Sequence, residues 1–444
     1  MQGEKQFNEK LFTNFQLSER VPAENFYRRL KEVLNLHWLY KATAKYYGTE
    51  GQQSIDPIVF FKLMLIGYLE NLGSDRRIIH TVSLRLDMLF FIGYDIDEAL
   101  PWHSTLSRIR QLYGEELFKQ LFKDVLKQCI DKGMVTGRRQ VLDSVAVKAN
   151  AGIDSLVEKE ILDDASAYAD ELKNEEEKSD DIDDIKNDDN NKTVSAARNK
   201  AVQLHHQWKA KAYKNMPQGS KERQSRAKFV SNHTHYSTTD PDARVSVKPG
   251  KPRQLYYTAQ VSVDTAHHVI TQIQTDHADK RDSQCLPSLL TNTISNLKEE
   301  GLQIEEVFAD AGYSSGEALK ALEENNITGY IPNFGQYKPY YDRMHARWQT
   351  VKREKIRQLR SSTVEPVLGT LVNYLAIRRV NTRGIKQAAK CILMSAIAYN
   401  LKKLLKWEVR KIKAMAMAKV KEVKNGLQTL CFFFFRSLQL CPLL

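Results

Sequence analysis

Three carboxylates, Asp143, Asp310 and Glu365, stand in local settings that could bring them to one rim of a sheet. Asp143 lies within residues 140–147, a short β-branched run that reads as a strand, where an unpaired ionised carboxylate is costly to bury. Asp310 ends a second strand-like run, 306–310, and Ala311-Gly312-Tyr313 makes a sharp exit. That leaves its side chain at the carboxyl rim, where open α/β sheets bind ligands. Glu365 falls in the first turn of a helix expected from 364 to about 374, with Ser362 or Thr363 as its cap and Pro366 tolerated at its start. Carboxylates so gathered repel one another unless cations lie between them. Magnesium, with manganese as a substitute, takes such oxygen ligands. Two ions roughly 3.5–4 Å apart activate a water or a 3′-hydroxyl and stabilise the leaving oxygen of an in-line phosphoryl transfer. Among 54 acidic residues, spacing alone does not single out this trio.

The elements that would position the three follow in a telling order. After the first strand come two apolar-alternating segments, 255–263 and 268–274, separated by Asp264-Thr265-Ala266-His267 as a hairpin turn. A helix at 283–296, the strand ending at Asp310, a helix at 315–324 and a short strand at 329–332 come next. A basic connector leads to the helix bearing Glu365, and a long helix spans 385–407. This order predicts a mixed α/β fold, a sheet with helices packed on it in the ribonuclease-H-like arrangement. Residues 136–151 and 236–407 would form that catalytic domain, and 152–235 a charged insertion, helical or partly disordered. Residues 1–135 read as an all-helical N-terminal domain that could bind DNA. In it, Asp56-Pro57 opens a dense apolar helix, a second helix covers 76–91, Ser104 caps a short helix carrying Arg108 and Arg110, and 115–130 is amphipathic. That short helix could read a major groove, or its arginines could simply face solvent. Residues 408–444 form a C-terminal tail, and its last part, 427–444, with Phe432–Phe435, is too short and too interrupted by Arg436 to span a membrane.

Charge narrows the partners. The net charge is +12, and residues 154–189 hold sixteen acidic and four basic residues, a local −12, so the remainder carries +12 − (−12) = +24. Such a surplus suits a polyanion, most often nucleic acid, although solubility alone would also explain it. The five scattered cysteines form no CxxC pair, which argues against a disulfide framework or a cysteine zinc site and suits a reducing cytoplasm. The N-terminus shows no export signal. Other candidates have plainer readings. Asp240 and Asp242 suit a tight turn before extra metal ligands, and Asp264 a hairpin cap before catalysis. Asp276, Asp279 and Asp282, beside His277, suit the N-terminus of a helix before support of a site. His233 and His235 lack nearby partners for zinc, and Tyr313 could pack in the core or stack on an extruded base.

Several runs resemble the DDE transposases of bacterial insertion sequences, specifically insertion-sequence family eleven-eighty-two, within the broader group of families four and five. The resemblance covers roughly residues 17–407. Its carriers are Leu63-Met64-Leu65-Ile66-Gly67-Tyr68 after Asp56-Pro57, then Ser74-Asp75-Arg76-Arg77 and His103-Ser104-Thr105-Leu106-Ser107-Arg108. They continue with Gly137-Arg138-Arg139-Gln140 through Asp143-Ser144, Lys148-Ala149-Asn150-Ala151, and Thr239-Asp240-Pro241-Asp242-Ala243-Arg244 with Lys248-Pro249-Gly250. Phe308-Ala309-Asp310-Ala311-Gly312-Tyr313, Thr363-Val364-Glu365-Pro366-Val367-Leu368-Gly369-Thr370-Leu371, Arg378-Arg379 and Thr382-Arg383-Gly384 complete the set. The resemblance implies that Asp143, Asp310 and Glu365 are the catalytic, magnesium-holding triad. It also implies cleavage of double-stranded DNA at terminal inverted repeats, strand transfer into target DNA, and a homodimer on paired ends in a bacterial, nucleoid-associated cytoplasmic setting. Two positions depart from the family pattern. Val372 stands near where many relatives carry a basic residue, leaving the phosphate contact to Arg378, Arg379 or Arg383. Ser361 occupies the place of an arginine four residues before the glutamate, with Arg360 one residue off, in a basic strip expected at 352–360. Two other readings stay open: an inactive or repurposed transposase that only binds DNA, and a host nuclease that cleaves without joining.

Overall fold

The computed structural model describes residues 16–48, 54–158, 232, 235–246, 254–332, 346 and 353–439. The first part is helical: α1 (Leu17–Arg20), α2 (Phe26–Val33), α3 (Trp38–Thr43), α4 (Pro57–Leu69), α5 (Asp75–Ser83), α6 (Leu86–Ile92), α7 (His103–Leu112) and α8 (Glu115–Asp131). The Asp56 carboxylate caps α4 by accepting from the backbone N–H groups of Ile58 and Val59 at 2.6 and 3.3 Å, and Pro57 follows at the first helical position. As its apolar density predicts, α4 is buried nearly all round. The single helix expected over 76–91 is two. Ser74 caps α5, and the chain leaves helical geometry at Leu84–Arg85 before α6 begins. Ser104 does not cap α7; the helix starts at His103, with Trp102 as its N-cap.

The sheet begins with β1 (Arg139–Lys148). β2 (Leu156–Glu158) and β3 (His235–Ser237) then pair antiparallel, tying together the two ends of the charged insertion, whose interior lies outside the described residues. β4 (Arg244–Val245), β5 (Leu255–Asp264), β6 (Ile270–His277), β7 (Glu306–Phe308) and β8 (Thr328–Tyr330) complete it. β5 pairs antiparallel with β1 on one side and with β6 and β4 on the other, while β7 lies parallel to β1 and β8 parallel to β7. Counting the five main strands in chain order, the sheet reads 3-2-1-4-5 with only the second antiparallel to the rest. At the β5–β6 hairpin, buried Asp264 accepts from the N–H groups of Gly137 at 2.8 Å and Ala266 at 2.9 Å and from the Gln140 amide at 3.1 Å, a turn-fixing role.

Alternating side chains of the central strands face two cores. Leu142, Val307 and Ala309 pack with Leu286, Leu289 and Leu290 of α9 (Asp282–Lys298) and with Leu319 and Leu322 of α10 (Gly316–Glu324). On the other face, Val141 and Phe308 join the core of α11 (Arg353–Tyr374) and α12 (Ile385–Gln439). The same core continues through the N-terminal helices. α12 is the shared member: Asn400 clamps the Ile270 backbone with two hydrogen bonds of 3.0 and 2.9 Å, while Lys390 donates to the Arg110 carbonyl at 2.8 Å and Lys402 to that of Leu69 at 2.9 Å. The N-terminus of α12 is held by the run that includes Asp240 and Asp242. Asp240 accepts from the N–H of Gly384 at 3.0 Å and Asp242 from that of Ile385 at 2.9 Å. These aspartates are therefore structural, as their plainer reading has it. Among the described residues, no helix is long and apolar enough to cross a membrane.

Candidate active site

The register of two parallel strands sets the first pair of carboxylates. Val141 of β1 is level with Phe308, the last residue of β7, and that register carried two residues on sets Asp143 beside Asp310 on the same face. Neighbouring strands lie about 4.8 Å apart, which brings two carboxylates side by side at the rim. Asp310 is not the last residue of its strand, as expected, but lies two residues past it. There its Oδ1 accepts from the Gly312 N–H at 2.8 Å and turns the chain out of the sheet. Asp143 Oδ1 accepts from the N–H of Ser144 at 2.8 Å.

The third carboxylate comes from α11, which packs over the face that carries the other two. Val364, Val367 and Leu371 are fully buried against that core, and Glu365, next to Val364, is left half exposed at the edge. The expected helix start at 364 is corrected: α11 begins at Arg353, so Glu365 sits mid-helix and Ser362 and Thr363 are not caps. Pro366 stands inside the helix on its exposed side, where the lost backbone hydrogen bond faces water.

That longer helix brings an arginine into the site. The Arg360 guanidinium stands among the three carboxylates, with Nη1 3.9 Å from Asp143 Oδ2 and 3.8 Å from Asp310 Oδ2, and Nη2 3.9 Å from Glu365 Oε1. Nη1 is buried and has no hydrogen-bond partner, since these separations are charge contacts beyond hydrogen-bond length. The structure thus brings Asp143, Asp310 and Glu365 around one cationic group. Among the described residues, no three acidic, His or Cys side chains are gathered at ligating distance of one point. The donor set itself, all carboxylate oxygen, is the kind that hard divalent ions such as magnesium and manganese take.

Behind the carboxylates lies a polar chain that the sequence does not flag. Tyr313 is fully buried and donates its hydroxyl to Gln260 Oε1, and Gln260 donates its amide to Asp282 Oδ1 at 2.9 Å. Gln260 of β5 lies directly opposite Ser144 of β1, the neighbour of Asp143. Burial, then the negative charges of Asp282, Asp143 and Asp310, push the Tyr313 phenol well above its ordinary value, so it stays a neutral donor. Tyr313 therefore packs in the core and cannot stack on a base in this form. Asp282 opens α9 with Arg281 as N-cap, and its Oδ2 lies beside Gly312. A Cβ at Gly312 would stand 3.0 Å from Asp310 Oδ1 and 3.4 Å from Asp282 Oδ2, so glycine keeps these two carboxylates close to the turn. The one sequence signal for Gln260 is a polar residue in the middle of a strand whose every residue is buried.

The expected DNA-contact arginines divide. Arg108, Arg378, Arg379 and Arg383 are exposed. Arg378 and Arg379 run beside the end of β1, where Val380 donates to the Lys148 carbonyl at 3.0 Å and Arg379 Nη2 bonds Asn150 Oδ1 at 2.9 Å. Arg110 is corrected: it is 2% exposed and ion-paired with Asp75 at 2.5 Å, so its guanidinium holds α7 to α5 and does not reach solvent. Arg360 faces the carboxylates. Of the remaining candidates, Asp276 is the penultimate residue of β6 and pairs with Lys280 at 3.3 Å, and Asp279 pairs with Arg244 at 3.5 Å. His235 lies in β3, and His233 falls outside the described residues, as do Lys352 of the basic strip and the side chains of Phe432–Phe435.

Residues 15–112 match the family model described as Transposase domain (DUF772), and residues 227–401 match that of the Transposase DDE domain. The second match includes Asp310 and Glu365 and begins after Asp143. No curated protein matches the chain. Among solved structures, a Mos1 transposase paired-end complex with left transposon end is 10% identical, covering 85% of this chain and 90% of that one, with a TM-score of 0.19. A Mos1 mariner paired end complex with Mn is also 10% identical, covering 87% and 93%, with a TM-score of 0.19. TM-scores this low carry no argument about this fold. Two segments of the chain are thus similar to transposase family models, and Asp310 and Glu365 fall within the one similar to the transposase DDE domain.

Proposed function

We propose that this chain is a DDE transposase that cuts DNA at the ends of a bacterial insertion sequence and joins those ends to target DNA. Asp143, Asp310 and Glu365 are its metal-holding triad. The observation that carries this reading is the convergence of these carboxylates, from two parallel strands and a helix, on a single cation 3.8–3.9 Å away. The 3-2-1-4-5 strand order supports the ribonuclease-H-like reading of the sheet, and the insertion-sequence family eleven-eighty-two remains the finer expectation for the whole chain.

Within this reading the residues divide the work. Asp143 and Asp310 are fixed by strand register and by backbone N–H groups, and Glu365 by the buried face of α11, so that oxygen ligands face one another across the rim. Bound magnesium or manganese supplies the Lewis acidity that activates a water or 3′-hydroxyl and stabilises the leaving oxygen. Arg378 and Arg379 flank β1 five residues beyond Asp143, about 17 Å along the strand at 3.3–3.4 Å per residue, where they suit the phosphates of the flanking duplex. With Arg108 and Arg383 they form the proposed DNA contacts, and two subunits would hold paired ends.

The test uses purified protein and a duplex carrying the element's terminal inverted repeat. Asp143→Ala, Asp310→Ala and Glu365→Ala should each abolish magnesium-dependent nicking and leave end binding, read by gel shift, within about twofold. Normal nicking by any one of them would sink the triad assignment. Intact end binding without nicking by the unaltered protein would favour the DNA-binding-only reading.

A further inference from the structure

The position of Arg360 has a consequence beyond the triad's chemistry. A guanidinium with one buried nitrogen, Nη1, makes no hydrogen bond there, yet lies 3.8–3.9 Å from carboxylates on β1, on the turn after β7 and on α11 itself. A buried donor without an acceptor is costly, whereas a positive charge among three negative ones is favourable. Charge therefore holds Arg360 in place, and specific hydrogen bonding does not. The side chain is about a quarter exposed and sits one turn and a half before Glu365 on the same helix, so its long stem can swing outward without moving the backbone.

We propose that Arg360 is a resident cation of the triad. It keeps the three carboxylates gathered before a divalent ion arrives, and it leaves their centre when one binds. The inference rests on the metal-holding role proposed above. Two like-charged occupants cannot share one small site, so guanidinium and metal exclude each other, and the metal's apparent affinity is lowered by the fraction of time the arginine is in place. Once displaced, the guanidinium lies at the rim, where a planar fork pairs with phosphate oxygens. A single residue would thereby couple metal loading to engagement of the DNA backbone. A lysine at this place would carry the charge without the fork, and a neutral residue would leave three carboxylates facing one another.

The test is binding of manganese to the metal-free, DNA-free full chain, read by the electron paramagnetic resonance of free Mn²⁺, with Arg360→Met beside the unaltered protein. For a latch closed about nine-tenths of the time, the variant should bind Mn²⁺ about tenfold more tightly. It should also melt at a lower temperature than the unaltered protein in metal-free buffer, and the gap should close or reverse at saturating Mn²⁺. Unchanged or weaker Mn²⁺ binding by Arg360→Met, with the unaltered protein binding normally, overturns the latch and leaves the triad reading standing. Mn²⁺ binding that Asp143→Ala and Asp310→Ala leave undiminished overturns the triad reading and the latch together. Circular dichroism of each variant separates loss of fold from loss of a contact.

Discussion

At the scale of single residues, the site is built in two depths. The outer one is the three carboxylates, and the inner one is the chain from Tyr313 through Gln260 to Asp282. Tyr313 follows Asp310 by three residues, so its buried ring and hydroxyl anchor the far side of the turn that aims the Asp310 side chain. Tyr313→Phe keeps the ring and removes only the donor, leaving Gln260 Oε1 buried without it. An unsatisfied buried acceptor costs about 1–3 kcal/mol, which a urea denaturation curve resolves. Support of this kind around metal-holding groups is typically worth about 10–100-fold in activity or metal affinity. Strand cleavage by Tyr313→Phe should fall by about tenfold per folded molecule. A loss of stability with no loss of rate would make the tyrosine a packing residue only.

At the scale of elements, helix ends decide how much could be read in advance. Asp56-Pro57 announces α4 because a side-chain acceptor and a missing N–H both suit a helix start, and the structure places them so. The same signals mislead at Ser362-Thr363-Glu365-Pro366. There an exposed proline is tolerated inside α11, because Val364, Val367 and Leu371 bury the helix against the core on either side of it. Tertiary burial outweighs the local signal, and it is this extension that carries Arg360 into the site. Asp143 and Asp310 were legible as strand and rim residues because β-branched runs and a sharp Ala-Gly exit mark them locally. Arg110 was not, since nothing in its own helix reveals that Asp75 of α5 faces it. The capping of α12 from a distance was equally hidden, and it gives an ordered prediction. Asp242→Ala removes a contact to the first-turn N–H of Ile385 and should cost about 1 kcal/mol, as a lost helix cap does. Asp240 is fully buried and also accepts from the Tyr257 hydroxyl at 2.7 Å, so Asp240→Ala should cost more, about 2–4 kcal/mol, by thermal or urea melting. Equal costs would mean that the turn carrying them reseats without either carboxylate.

At the scale of the whole molecule, α12 joins the N-terminal helices to the sheet. One side of it packs with α4 and α8, donates from Lys402 to the Leu69 carbonyl and accepts at its Leu405 carbonyl from Arg29 of α2, while the other packs on β6 and clamps Ile270 through Asn400. Near the end of α11, Asn71 donates to the Asn373 carbonyl at 3.2 Å and accepts from the Ala376 N–H at 2.9 Å, a second bolt between the helical layer and the helix that carries Glu365. A continuous core through both regions predicts that neither unfolds alone. Leu401 is fully buried in the first third of α12, and Leu401→Ala should cost about 2–5 kcal/mol through the lost contacts and the cavity left behind. Because the lesion lies in the shared element, amide exchange should accelerate by the same factor in α4, α8 and β6, and unfolding should remain one transition. If α4 and α8 lost protection while β5 and β6 kept theirs, the helical layer would be a separately folding unit.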